Sequence, residues 1–266
     1  MMPFLKWPGG KRWFVQDFPH LIPKRYKRYI EPFLGGGSVY FHLQPKQAIL
    51  ADSNPHLIAT YQGLKTDWAC LQEKLATHHH RHCDAYYYTV RDTKPRELLN
   101  QASRMIYLNR TCFNGIYRTN QEGHFNVPRG DRKHVLRDTD DFESIAQLLE
   151  TAEIRVADFE SIINEARKGD FIFADPPYTV RHNFNGFVRY NETLFSWADQ
   201  ERLALALERA RIRQAKIVCT NADHPSIRNL YRGKGFSLRT ISRYSAISAT
   251  TDSRKTFTEL LICANT

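Results

Sequence analysis

The stretch YIEPFLGGGSVYFHLQPKQAILAD, residues 29–52, decides how this chain folds. Its first residues are an apolar run of strand type, and Gly35-Gly36-Gly37 interrupt that run. The pattern then shifts to helical spacing over 37–44. A second short apolar run, AILAD at 48–52, reads as another strand and ends on a carboxylate. Strand, glycine turn, helix, strand is the sequence form of a parallel βαβ unit. Glycines at such a turn let backbone approach a ligand closely, and free N–H groups at the helix start face the same space. An acid at the end of the second strand, here Asp52, suits a ribose hydroxyl pair. Taken alone, the stretch fits a nicotinamide cofactor, S-adenosylmethionine or a simple tight turn. Glu31-Pro32-Phe33 ahead of the glycines departs from G-x-G-x-x-G, which disfavours nicotinamide.

The same rhythm continues outward. Strands are expected at 28–33, 48–52, 153–158, 170–174 and 216–221, with helices at about 37–44, 54–65, 159–168, 196–213 and 224–231. Two final strands, 237–247 and 256–264, flank the Ser/Thr-rich SATTDSRK and read as an antiparallel hairpin. From 66 to 150 the rhythm stops. Polar helical patterning gives way there to a turn-rich run, a length that argues for an inserted subdomain rather than a loop. The expected fold is therefore α/β: a Rossmann-like, mostly parallel sheet with a C-terminal antiparallel hairpin and an inserted, mainly helical subdomain. Residues 1–65 and 151–266 would form the main domain and 66–150 the insertion. Within the insertion, HHHRHC at 78–83 lacks usual zinc spacing and reads as a solvated helix end, so no metal is expected.

Lys and Arg number 38 against 28 Asp and Glu, a net charge of +10, which favours a polyanionic partner. Six of the basic residues (Arg110, Arg118, Arg129, Arg132, Lys133 and Arg137) fall between 110 and 137, against Glu122 and Asp131. The excess charge thus sits in the insertion. No apolar run approaches the roughly 20 residues of a membrane span. The N-terminus lacks signal-peptide build, and the five cysteines are scattered without CxxC spacing. These features lead us to expect a cytoplasmic chain with free thiols, no membrane partner and a monomeric state.

Two further motifs carry chemistry. LKWPGGKRWF, from residue 5, sets Lys6, Trp7 and Lys11 around a Pro-Gly-Gly turn, placing cations and an indole beside flexible backbone. GDFIFADPPYTV, residues 169–180, ends an apolar strand with Asp175-Pro176-Pro177-Tyr178. In a parallel sheet, ligands bind beyond the C-terminal strand ends. There the Asp175 carboxylate and the Pro176 carbonyl would be converging acceptors beside the Tyr178 ring, a fit for an exocyclic amine on a flat heterocycle.

Taken together and in this order, LKWPGGK, EPFLGGGS, LADSN, LNRTCFNGIYR…EGHFNVP and DPPY resemble the Dam-type (α-class) DNA adenine-N6 methyltransferases, over most of the chain. The resemblance implies S-adenosylmethionine as methyl donor, leaving as S-adenosylhomocysteine, and double-stranded DNA as substrate. It implies that Trp7, Lys11, Phe33, Gly35, Gly36, Gly37, Asp52, Asp158 and Phe159 line the cofactor pocket, with Asp175 close to it. Asp175, Pro176 and Tyr178 would bind the target adenine. In the insertion, Phe113 and Asn114 match residues that wedge into the space left by a flipped base, and Arg118 matches a guanine-reading arginine. Ile116 and Pro128 match apolar contacts to a thymine methyl, Lys6 matches a reader of the outer guanine, and Asn126 belongs to the same DNA-binding set. Arg91 and Arg110 match phosphate contacts. Asp131 falls where a phosphate-binding basic residue is expected.

The function these implications give is transfer of a methyl group to N6 of a flipped adenine, in a short duplex site read as GATC. The competing readings are an RNA or protein amino-group methyltransferase, and a DNA-binding module without catalysis. No Pro-Cys dipeptide occurs, so a cytosine-C5 mechanism through a thiolate has no candidate nucleophile of that kind.

Overall fold

The computed structural model describes residues 1–120, 123–179, 195–244 and 256–266. The chain divides into two compact units: Met1–Arg12 with Leu34–Val156, and Trp13–Phe33 with Ala157–Thr266.

In the first unit, β2 (Ala48–Asp52) and β3 (Ala152–Val156) pair in parallel, with Leu50 opposite Ile154. Ala48 to Ala51 are buried, as a run without alternation requires, and Asp52 ends the strand. Around them lie α2 (Ser38–Leu43), α3 (Pro55–Thr66), α4 (Trp68–Arg81), α5 (Asp84–Asp92), α6 (Leu98–Thr111) and α7 (Phe142–Leu149). Their starts follow side-chain chemistry. Asn54 accepts from the His56 and Leu57 amides ahead of α3, with Pro55 at the first position. Asp67 and Asp141 cap α4 and α7 in the same way. The segment 66–150 is thus mainly helical, and α6 packs along α3 and α4.

The second unit holds β1 (Tyr29–Glu31), β4 (Phe171–Ala174), β5 (Lys216–Ala222), β6 (Ser237–Tyr244) and β7 (Thr256–Ala264). They lie in the order β1-β4-β5-β7-β6. β1, β4 and β5 are parallel; β7 runs antiparallel to both β5 and β6. This is the parallel sheet with a terminal antiparallel pair expected of a Rossmann-like methyltransferase. β1 is shorter than the expected 28–33, because Pro32 has no amide to continue the ladder. The link between the last two strands, including SATTDSRK, lies outside the described residues. Beside the sheet run α8 (Phe159–Asn164), α9 (Trp197–Ile212) and α10 (Pro225–Tyr231). Ser196 and Asp199 form a capping box at the start of α9. Ahead of β1, α1 (Arg12–Asp17) buries Phe14, whose ring meets Phe173 of β4 at 5.7 Å.

The histidine-rich end of α4 is not the solvated helix end its composition suggests. His78 Nδ1 bonds the Tyr86 hydroxyl at 2.8 Å, and its ring stacks on Tyr107 at 4.7 Å. His82 Nδ1 bonds the Tyr107 hydroxyl, and His79 Nδ1 accepts the Val135 amide. His78 and His82 are used in an aromatic cluster that joins α4 to α5 and α6, while His80 and Arg81 remain exposed. Burial, with Arg81 and Lys74 nearby, lowers the His78 pKa to about 4. In the unfolded chain that imidazole takes its proton near pH 6.5, so stability falls as pH drops from about 6.5 to about 4. His78→Phe is expected to flatten this part of the Tm-against-pH curve; an unaltered slope would mean that His78 does not cause it.

Candidate active site

In the second unit, the turn after β4 is held by a network of buried polar side chains. The Thr220 hydroxyl, at the end of β5, donates to Asp175 Oδ1 at 2.6 Å. The Tyr178 hydroxyl donates to Glu259 Oε2 of β7 at 2.7 Å. Gln200, fully buried on α9, donates to the Thr179 hydroxyl at 3.1 Å and reaches the Pro177 carbonyl at 3.4 Å. Asn221 in turn donates to Gln200 Oε1 at 2.9 Å. The Pro176 carbonyl accepts no hydrogen bond among the described residues. Burial, reinforced by Glu259 and Asp175, holds the Tyr178 phenol well above its ordinary pKa, so it stays protonated and keeps donating. A protonated phenol cannot act as a base; what it offers is a ring held at its far end.

Phe33 and Phe159 stack at 5.3 Å in the same unit, with Phe195 edge-on to Phe33 at 5.6 Å and the Arg202 guanidinium over Phe159 at 4.8 Å. Asp158 caps α8 through the Glu160 amide and pairs with Arg202 at 2.8 Å.

The glycine turn lies in the first unit. Asp52 Oδ2 accepts the Gly35 amide at 3.1 Å and Oδ1 accepts the Asn54 amide at 3.0 Å. Burial raises the Asp52 pKa, and the hydrogen bonds from Asn54, Gly35 and Ser53 oppose that shift. These bonds leave acceptor capacity on the carboxylate for a ribose hydroxyl. Gly35 has φ +48, and a Cβ there would lie 2.7 Å from Cδ1 of Trp7. Only glycine permits both the left-handed backbone and the close approach of the indole. The Trp7 ring stacks on Tyr117 at 5.3 Å. Lys11 is buried, with its ammonium on the Gly9 carbonyl at 3.1 Å. A glycine turn packed against an indole, beside a buried carboxylate with acceptor capacity to spare, fits the nucleoside part of S-adenosylmethionine.

The residues expected to meet DNA gather on a short hairpin in this unit. Phe113 is 51 % exposed at the end of α6, and its amide is held by the Pro128 carbonyl at 2.9 Å. Asn114 adopts φ 55 and Gly115 φ +65, where an added Cβ would meet Lys6 Cδ at 2.8 Å. The Lys6 ammonium bonds the Asn114 carbonyl, while Asn109 clamps the Lys6 backbone from both sides. Arg118 is exposed, and Asn126 Oδ1 accepts its Nε at 2.9 Å, which fixes the direction of the guanidinium. Phe113, Ile116, Arg118, Asn126, Pro128 and Lys6 are thereby brought together. Arg91 lies apart on α5, pairing with Asp92 at 2.9 Å and covering the Tyr88 ring at 4.7 Å.

Arg110 does not fit the role of phosphate contact. Its side chain is wholly buried, bound to Asp140 at 2.8 Å, to the Val135 carbonyl at 2.7 Å and to the Phe4 carbonyl at 3.2 Å. No phosphate can reach it; the residue ties α6 to the N-terminal strand of chain and to the segment after the hairpin.

The sequence reading missed Thr220, Glu259, Gln200, Asn221 and Tyr117. A Thr-Asn pair ending the apolar strand KIVCTN and a lone Glu in TELLIC were the available signals, since buried strands rarely carry such groups unpaired.

A family model described as D12 class N6 adenine-specific DNA methyltransferase matches residues 7–247. The Type II methyltransferase M1.LlaDCHI of Lactococcus lactis subsp. cremoris is 33% identical, across 98% of this chain and 95% of that protein. A DNA adenine methylase of Vibrio cholerae is 32% identical, covering 91% of each. The DNA N-6-adenine-methyltransferase of Escherichia phage P1 is 34% identical across 94% of this chain, which spans 33% of the phage protein. A solved precorrin 8w decarboxylase of Methanobacterium thermoautotrophicum overlays with a TM-score of 0.41 and 12% identity across 99% and 95% of the two chains, too slight a likeness to carry weight.

Proposed function

We infer that this chain, which belongs to the D12 class N6 adenine-specific DNA methyltransferases, uses S-adenosylmethionine to methylate the adenine of GATC in duplex DNA, acting as a monomer. The observation that carries the chemistry is the braced Asp175-Pro176-Pro177-Tyr178 turn at the C-terminal end of β4. A base must leave the duplex to enter such a turn, and the exposed Phe113 is suited to fill the space it vacates. Asp175 and the Pro176 carbonyl would accept the two N6–H bonds, while Tyr178 stacks on the ring. Held this way, the amine presents its lone pair along the normal of the base plane. The bound cofactor supplies an electrophilic methyl group on sulfur. As the N–C bond formed and the methyl–sulfur bond broke, releasing S-adenosylhomocysteine, positive charge would grow on N6; the Asp175 carboxylate would stabilise it, and the N6 proton would then pass to solvent. Trp7, the Gly35–Gly37 turn and Asp52 would seat the cofactor, with Lys11, Phe33, Asp158 and Phe159 also lining its pocket.

For sequence readout, Arg118 would pair with O6 and N7 of a guanine, Lys6 would meet the outer guanine, and Ile116 and Pro128 would pack on a thymine methyl. Asn126, which orients Arg118, and Asn114 complete the hairpin's contribution, and Arg91 would meet phosphate. The test is transfer of labelled methyl from S-adenosylmethionine to duplexes carrying GATC or a permuted site, and to RNA of the same sequence. N6-methyladenine in GATC duplex alone is the expected product. Equal labelling of permuted duplexes removes the GATC assignment, and preference for RNA removes the substrate assignment. Arg118→Ala is expected to reduce discrimination at one guanine by about 1–3 kcal/mol. Uniform slowing on every duplex would instead make Arg118 a backbone contact.

A further inference from the structure

The first unit contains a cavity of about 780 Å³ whose wall includes Lys6, Arg12, Arg132, Lys133, His134 and Arg137. Asp131 is the acidic residue on that wall among the described residues. These cations crowd one another. Burial, then Arg110, Arg132 and Arg12, oppose the charge on Arg137, while Asp140 favours it; burial and then Arg132 oppose the charge on Lys6. Two further carboxylates are engaged by other arginines: Asp140, which also favours the charge on Arg137, is paired with Arg110, and Asp84 with Arg129. Among the described residues, Arg132, Lys133 and Arg137 form no ion pair of their own. A converging set of guanidinium groups without acidic partners is an anion site by its electrostatics, and guanidinium suits the paired oxygens of a phosphodiester.

The place of the cavity selects the anion. Residues 131–137 continue directly from Pro128 and Arg129 at the foot of the hairpin, and Lys6 joins the two. Arg132 and Lys133 are exposed, so the wall opens to solvent where a duplex on the hairpin would continue. Against the acid at 131, Arg12, brought in from outside the insertion, and Arg137 add positive charge to the same cavity. We propose that Arg12, Arg132 and Arg137 form a clamp for the DNA backbone flanking the target site, a proposal that rests on the reading of the substrate as duplex DNA. The clamp grips phosphates whatever the sequence, so it adds affinity and register rather than base discrimination.

The rival occupant is the carboxylate of the cofactor, because Trp7, Gly10 and Gly36 also line the cavity. Binding of duplexes with and without GATC, measured over a range of salt in the full chain, separates the two. Each phosphate contact contributes about 0.9 to the slope of log Kd against log salt. R132A/R137A is expected to lower that slope by about one to two on both duplexes, leaving the Kd for S-adenosylmethionine and kcat at saturating DNA unchanged. R132Q, at an exposed position, is expected to lower it by about one and guards against a folding defect in the double variant. An unchanged slope in R132Q and in a folded R132A/R137A overturns the clamp. So does a weakened cofactor Kd with the slope intact, which would assign the cavity to the cofactor carboxylate. Failure of the wild-type chain to methylate DNA would instead strike at the underlying reading, and is seen separately from the slope.

Discussion

Replacing Asp175 with alanine is expected to lower the single-turnover rate of DNA methylation by about a hundred- to a thousand-fold at saturating cofactor and DNA, because the proposed role of its carboxylate is that of a preorganised electrostatic group at the reacting centre. Thr220 holds Asp175 Oδ1 at 2.6 Å, so the carboxylate is fixed before any base arrives and little reorganisation accompanies the reaction. Asp175→Asn keeps an oxygen acceptor but loses the charge that opposes the growing positive charge on N6, so its rate should fall between wild type and Asp175→Ala. Removing the carboxylate leaves the Thr220 hydroxyl without this acceptor, a stability cost of only about 1–3 kcal/mol. Rate and stability therefore separate: a large loss of rate with a modest change in Tm supports direct participation. Full activity in Asp175→Ala would sink the assignment. Tyr178→Phe is the informative companion. It retains the ring and loses the hydroxyl's bonds to Glu259 and Thr220, so a far smaller rate loss is expected than for Asp175→Ala.

What could be read from the sequence, and what could not, follows from the range of the interactions. β2 and β7 run over the residues expected of them, because apolar runs bounded by turn or polar residues are local signals. The end of β4 at Ala174 was equally legible, since two prolines after a buried run report on the backbone. The supports of the turn after it were not. Glu259 meets Tyr178 only because β7 lies beside β5 in a register that places Glu259 opposite Ala222, and no local pattern encodes that register. The stack of Trp7 on Tyr117 likewise joins segments 110 residues apart and follows from tertiary placement. Arg110, matched by resemblance to a phosphate contact, lies inside instead. Every residue of α6 from Met105 to Thr111 is buried, so helical phase does not separate an inner from an outer face there. The partner that makes the burial of Arg110 tolerable, Asp140, is 30 residues away and invisible to any local pattern.

That burial makes Arg110 the site of the largest stability effect expected here. Arg110→Ala should destabilise the chain by about 3–5 kcal/mol, the range for removing one partner of a buried ion pair and stranding the other. Asp140, whose side chain is only 10% exposed, would keep its charge without the guanidinium. The Val135 and Phe4 carbonyls would lose their donor at the same time. Against a typical total of about 5–15 kcal/mol, such a loss is a large fraction, and it should appear as a lower urea midpoint. R110M/D140L tests the cause, since replacing both members with apolar groups removes the stranded charge and should recover much of the loss. The salt dependence of DNA binding then separates a structural residue from a phosphate contact. An arginine that touches phosphate changes the slope by about 0.9 when removed and need not alter stability. Arg110 is expected to do the reverse: R110M/D140L, if folded, should bind duplex with the wild-type slope. A reduced slope in that variant would return Arg110 to the DNA interface and require the segment from 131 to 140 to open when DNA binds.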